Sequence, residues 1–177
     1  MNIVGLDLSL TATGVCDTEG RLHTIVNDDA RKPMGERLTL IRRELGELVA
    51  NAEIFVVEGV FVGQNNNTLK LGKVHGVVEQ LAWTWSIPIA FVSPFTLKKF
   101  ATGKTSSDKS AMAVAAWRLA QVQGNDNEID AWWLRFAGQV HYGDTMVDWP
   151  AAQVEAINGF DKKTNQPKVE WPAIGGA

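Results

Sequence analysis

The 177-residue chain is 45% hydrophobic and 21% charged, the make-up of one globular domain with a sizeable core. A net charge of −3 speaks against indiscriminate coating of nucleic acid, and no run approaches the roughly 20 apolar residues of a membrane helix. Cys16, the only cysteine, excludes a disulfide framework or a thiolate metal site and implies a reducing, cytoplasmic setting.

MNIVGLDL lacks the basic start of a secretory signal, and residues 2–8 read directly as a buried strand interrupted by Gly5 and Asp7. A small-residue turn over 9–13 leads into two further strands, 13–17 and 21–26, with a hairpin turn at Glu19-Gly20. Residues 35–51 form an amphipathic helix: Leu38, Ile41, Leu45 and Leu48 recur at spacings of three and four, with Arg42, Arg43, Glu44 and Glu47 opposite. A fourth strand, 54–58, ends in Glu58. After a polar loop, a helix capped by Asn67 or Thr68 spans 68–85, followed by a short strand, 89–92. Pro94 opens a turn or short helix to Phe100, and a flexible GKTSS loop follows. Thr105 and Asp108 match a capping box for a helix reaching Leu119, and residues 125–140 form the last helix. Beyond Gly143 periodicity fades. The expected organisation is a domain over 1–142 and a partly extended or flexible tail over 143–177.

Three meandering strands followed by two crossover strands predict a mixed five-stranded α/β sheet with helices on both faces. If the first and fourth strands are parallel neighbours, Asp7 and Glu58 share one rim of that sheet, where open α/β folds place their ligands. Asp126 and Asp130, four apart, share a helical face, and Asn127 lies close to it. Carboxylates converging on one point repel unless cations neutralise them, and hard oxygen donors favour Mg²⁺ or Mn²⁺. Two such ions, roughly 4 Å apart, can activate a water and stabilise the leaving oxygen of a phosphodiester. The competing reading is that each acid is separately solvated or serves as a cap. Basic charge is local: Lys98, Lys99, Lys104 and Lys109 fall in one segment whose single acid is Asp108.

GLDLSLTATGV, VVEGVF, TLKLGKVHGVV, TGKTSSDKS and NEIDAWWL resemble, in order and spacing, the motifs of RuvC-type Holliday junction resolvases over residues 1–138. The divergence resembles a phage or prophage version more than a housekeeping one. The resemblance implies a ribonuclease H-like fold, a homodimer, and paired nicks in four-way DNA junctions with divalent metal. It implies catalytic and metal-binding roles for Asp7, Glu58 and Asp130. The family's fourth ligand falls at Asn127, a departure that leaves either Asn127 or its neighbour Asp126 to serve, with Asp126 preferred and Glu128 the poorer candidate.

Phe61 matches an aromatic that stacks on bases, a contact worth ~1–3 kcal/mol per base. Lys98 and Lys109 match the family's functional lysines, and Lys104 lies between them. The helix containing Gly72 and Gly76 resembles the dimer-forming helix. His75 is expected at a surface or interface, and Trp132 and Trp133 as core and wall of the site. Ser9, Thr11 and Thr13 are candidate phosphate contacts, although small polar residues are ordinary in turns. Two other classes compete: a non-catalytic branched-DNA-binding module, allowed by Asn127, and an actin-like nucleotide-binding protein. The second lacks a further glycine-rich phosphate motif here, and the chain is short for it.

Overall fold

A computed structural model describes residues 1–60 and 66–174, without the side chains of residues 66 and 67. Five strands, β1 (Ile3–Asp7), β2 (Ala12–Cys16), β3 (Leu22–Val26), β4 (Ile54–Glu58) and β5 (Ile89–Val92), form one sheet in the order β3-β2-β1-β4-β5. β1, β2 and β3 pair antiparallel, whereas β1–β4 and β4–β5 pair parallel. The helices are α1 (Met34–Leu48), α2 (Asn66–Trp85), α3 (Pro94–Thr102), α4 (Lys109–Ala120), α5 (Asp126–His141) and α6 (Ala151–Asn158).

Strand periodicity assigns each face its layer. Ile3, Ile54 and Val56 point into one core with residues of α3, α4, α5 and α6. Val4, Leu6, Phe55 and Val57 point into the other, with residues of α1 and α2. All five residues of β1 are buried, as a central strand covered on both sides requires. Gly5 is needed for close approach: a Cβ there would overlap the Ala131 carbonyl oxygen and stand 2.6 Å from the Arg135 nitrogen. A Cβ on Gly14 of β2 would likewise overlap the Asn127 carbonyl. These two glycines let α5 lie directly on β1 and β2.

Three local expectations are corrected. Asp108 is itself the N-cap of α4, its carboxylate accepting from the Ala111 N–H at 2.8 Å, so no box starts at Thr105. The GKTSS loop is knotted by hydroxyls: Thr102 and Ser107 Oγ atoms lie 2.5 Å apart, and both reach the Lys104 carbonyl. The segment after Gly143 is not a loose tail over 149–171. It contains α6, buries Ala156, Ile157 and Val169 in the core, and ties Trp149 and Gln153 to the Phe100 carbonyl. No helix among the described residues is long and apolar enough to cross a membrane.

Candidate active site

Asp7 and Glu58 each close a strand, and alternation decides where they point. Residues 3, 5 and 7 of β1, and 54, 56 and 58 of β4, face the layer that contains α5. Leu6 is in register with Val57, so the next residue of each strand, Asp7 and Glu58, ends its strand at the same level. From above, α5 brings Asp130, adjacent to the Ala131 carbonyl that rests on Gly5. The helix starts where it does because Asn125 caps it in a reciprocal box with Glu128, whose carboxylate also accepts from Thr24. Glu128 is thereby committed to the cap.

The electrostatics report the convergence. Burial, then the neighbouring Glu58 and Asp130 carboxylates, push Asp7 up to about 8 against the pull of Lys109. Burial and Asp130 push Glu58 up to about 7, opposed by Lys98 and Lys109. Asp130 is raised as well, chiefly by burial, with Lys109 and Lys98 lowering it and Asp126 adding to the rise. Asp7 and Glu58 feel inner neighbours and Asp130 feels Asp126, and in all three the balance is shifted toward the protonated form.

Asp126 stands further out. Its carboxylate pairs with Lys109 Nζ at 3.2 Å, both side chains about 60% exposed, and of the inner three it acts on Asp130. Partial burial opposes the charge on Lys109, yet Asp126, Asp130 and Asp7 together raise its affinity for the proton. Asn127 spends its side-chain N–H on the Ala12 carbonyl at 2.8 Å, tying α5 to β2. Lys98 on α3 and Lys109 at the start of α4 therefore flank the acids, while Lys104 is exposed in the loop between them. Phe61 lies outside the described residues.

Among the described residues, no three histidine, cysteine or acidic side chains are gathered closely enough to hold an ion between them. The acids form a loose cluster, not a finished cage. In donor type and charge they do fit: hard oxygens, mutually repelling, buried enough to prefer neutralisation.

Among the surrounding residues, the placement of His75 departs from expectation. His75 is 5% exposed, buried within the chain beside Phe91 at 6.0 Å between rings, and not at a surface; burial holds its imidazole below the ordinary value. Trp132 and Trp133 are core: Trp133 donates to the Met112 carbonyl and Trp132 stacks on Phe136. On α2, Gly72 and Gly76 lie on the exposed face with open space around them. Sequence reasoning did not single out Arg37, buried at 7% behind the turn after Asp7. The signal was available, since Arg37 continues the spacing of Ile41 and Leu45 back by four.

Comparison with known proteins converges on one family. The family model described as "Crossover junction endodeoxyribonuclease RuvC" matches residues 3–132, a span containing every acid discussed above. A protein of that name from Synechococcus sp. (strain WH7803) is 32% identical over 140 residues, 74% of this chain and 91% of the relative. Another from Azorhizobium caulinodans is 32% identical over 120 residues, 62% and 71% of the two chains. The fold matches Thermus thermophilus RuvC in complex with a Holliday junction substrate at TM-score 0.69 and 20% identity, covering 81% of this chain and 94% of that one. A second Thermus thermophilus RuvC structure gives 0.64 at 21% identity, covering 81% and 97%.

Proposed function

The chain belongs to the RuvC family of crossover junction endodeoxyribonucleases, and we propose that Asp7, Glu58 and Asp130 form its hydrolytic centre. As a structure-specific DNA nuclease of the Holliday junction resolvase class, it breaks a phosphodiester by adding the oxygen of water to phosphorus while one bridging oxygen leaves. The observation that supports the residue assignment is the convergence of three partly or fully buried carboxylates at the carboxyl ends of β1 and β4.

Asp7, Glu58 and Asp130, with Asp126 or Asn127 at the outer edge, would hold Mg²⁺, with Mn²⁺ as a substitute and two ions per site. Bound there, the metal supplies Lewis acidity toward the phosphate and a more acidic water. The protein's own part is electrostatic and steric. Lys109 and Lys98 bring positive charge to the acids' rim, where a scissile phosphate would otherwise be repelled. Lys104 extends that charge along the loop, and Phe61 is the proposed base-stacking residue. The open face of α2 around Gly72 and Gly76 is the proposed homodimer contact. Two copies would present one centre to each cut strand of a four-way junction. Forks and other branched DNA are further proposed substrates, and the cytoplasm of a bacterial or phage-infected cell the proposed setting.

A labelled four-way junction incubated with the protein and Mg²⁺ tests the reading. Paired nicks are expected from the wild type, and binding without nicks from Asp7→Asn. A wild type that binds the junction and leaves it intact over a range of Mg²⁺ and Mn²⁺ concentrations would overturn it.

A further inference from the structure

The turn after Asp7 is braced from behind by a buried arginine. Arg37, in the first turn of α1, is 7% exposed, and its Nη2 donates to the Leu10 carbonyl at 3.2 Å and to the Asn27 carbonyl. Asn27, just beyond β3 and 5% exposed, donates its side-chain N–H to the Arg37 carbonyl at 3.0 Å and its backbone N–H to the Thr11 carbonyl at 2.8 Å. Two successive turn carbonyls, Leu10 and Thr11, are thus held by one buried pair. Within the turn, Thr13 Oγ1 donates to the Ser9 carbonyl and accepts the Ser9 N–H, while Ser9 Oγ lies 3.2 Å from Thr11 Oγ1.

This is a costly way to fill a core position. Among the described residues, Arg37 Nε is the buried side-chain polar atom without a hydrogen-bond partner. A buried guanidinium left partly unsatisfied loses its hydration without full return. An apolar residue there would continue the Ile41–Leu45 stripe at no such cost. Packing does not call for arginine at this position; a charged donor reaching two separate carbonyls does.

We propose that Arg37 is a positioning residue for the nuclease: by fixing the turn over residues 8–13, it sets how Asp7 and the Ser9 and Thr11 hydroxyls meet the DNA phosphate. The proposal rests on the hydrolytic role given to Asp7 above. Arg37 itself touches no substrate; it acts through the turn.

Arg37→Met, Arg37→Lys and Asn27→Ala separate this role from a purely structural one. Three quantities are measured on folded protein: single-turnover cleavage of a four-way junction in Mg²⁺, junction affinity in EDTA, and amide hydrogen exchange. For Arg37→Met we expect cleavage to slow tenfold or more, affinity to stay within twofold, and exchange over residues 8–13 to speed up tenfold while α5 is unchanged. Arg37→Lys, which keeps the charge and one donor, should recover part of the rate. If Arg37→Met does not fold, Asn27→Ala decides the case, with the same pattern at smaller size. Unchanged cleavage, a loss matched by weaker binding, or faster exchange throughout α5 would overturn the proposal. A wild type that fails to cut would sink the nuclease reading instead, and exchange in the turn would still report on the brace.

Discussion

Asp7 and Asp126 are both rim aspartates, yet their surroundings differ. Asp7 is 9% exposed and pushed up to about 8 by burial, Glu58 and Asp130. Asp126 is largely solvated and paired with Lys109, an exposed ion pair of the kind worth little energetically. A catalytic contribution scales with what a side chain does at the reacting phosphate, so the inner acids should dominate. Asp130→Asn is expected to lower cleavage by roughly 100-fold or more, about 2.7 kcal/mol of transition-state stabilisation. Asp126→Asn is expected to cost less than roughly tenfold, partly because it releases Lys109. Single-turnover rates at saturating protein check both. A larger loss for Asp126→Asn than for Asp130→Asn would give Asp126 the inner role. Asn127→Ala, by contrast, removes the side-chain hydrogen bond donated to the Ala12 carbonyl and should weaken the α5–β2 junction before it touches chemistry.

At the scale of elements, α5 is the beam that carries Asp130 to the sheet, and Gly5 decides how close it lies. Gly5→Ala must push α5 outward or shift β1, because the added methyl meets backbone atoms and not a flexible side chain. The expected cost is about 1–3 kcal/mol of stability, together with a cleavage loss larger than that destabilisation explains. Urea unfolding and activity of the folded variant check the two parts. An active, stable Gly5→Ala protein would show that α5 is not held at this contact. The strands and helices that frame the site were legible because each has a clear pattern: β5 coincides with its apolar run, and β4 follows its own and closes on Glu58. The pairing of Asp7 with Glu58 followed from chain order and crossover rules. What escaped were features with no period. α6 is eight residues between Pro150 and Gly159, too short for an apolar stripe to declare itself. Its anchoring depends on Trp149 and Trp171 donating to distant carbonyls, which only tertiary structure brings near. Arg37 lies on the helical period, but composition assigns arginine to the surface, and its burial depends on the Leu10 and Asn27 carbonyls, both distant in sequence.

For the whole molecule, the acid cluster makes folding depend on pH with an unusual sign. An unfolded Asp7 titrates near 3.8 and the folded one at about 8; for Glu58 the values are 4.5 and about 7. Between those limits the native state binds more protons than the unfolded chain, so native stability falls as pH rises. Lys98 and Lys109 temper the fall and Asp130 adds to it. Other groups act differently across the same window. Asp17, held low overall by His23 and Arg21 against burial, contributes stability that is fully present above its unfolded value and lost only in acid. His75, kept low by burial, gains stability as pH climbs through the imidazole range and so partly offsets the trend. Metal-free protein is therefore expected to lose on the order of 10 °C of Tm between pH 5.5 and 8.5. The Asp7→Asn/Glu58→Gln double variant should lose most of that slope, keeping only the part from Asp130 set against the opposite tilt from His75. Mg²⁺, binding the deprotonated cluster, should raise Tm more at pH 8.5 than at 5.5 in the wild type and hardly at all in the double variant. Thermal melts in EDTA and in Mg²⁺ at both pH values measure all of this. A wild-type slope that survives in the double variant would place the pH dependence elsewhere and remove the link between acid repulsion and metal affinity.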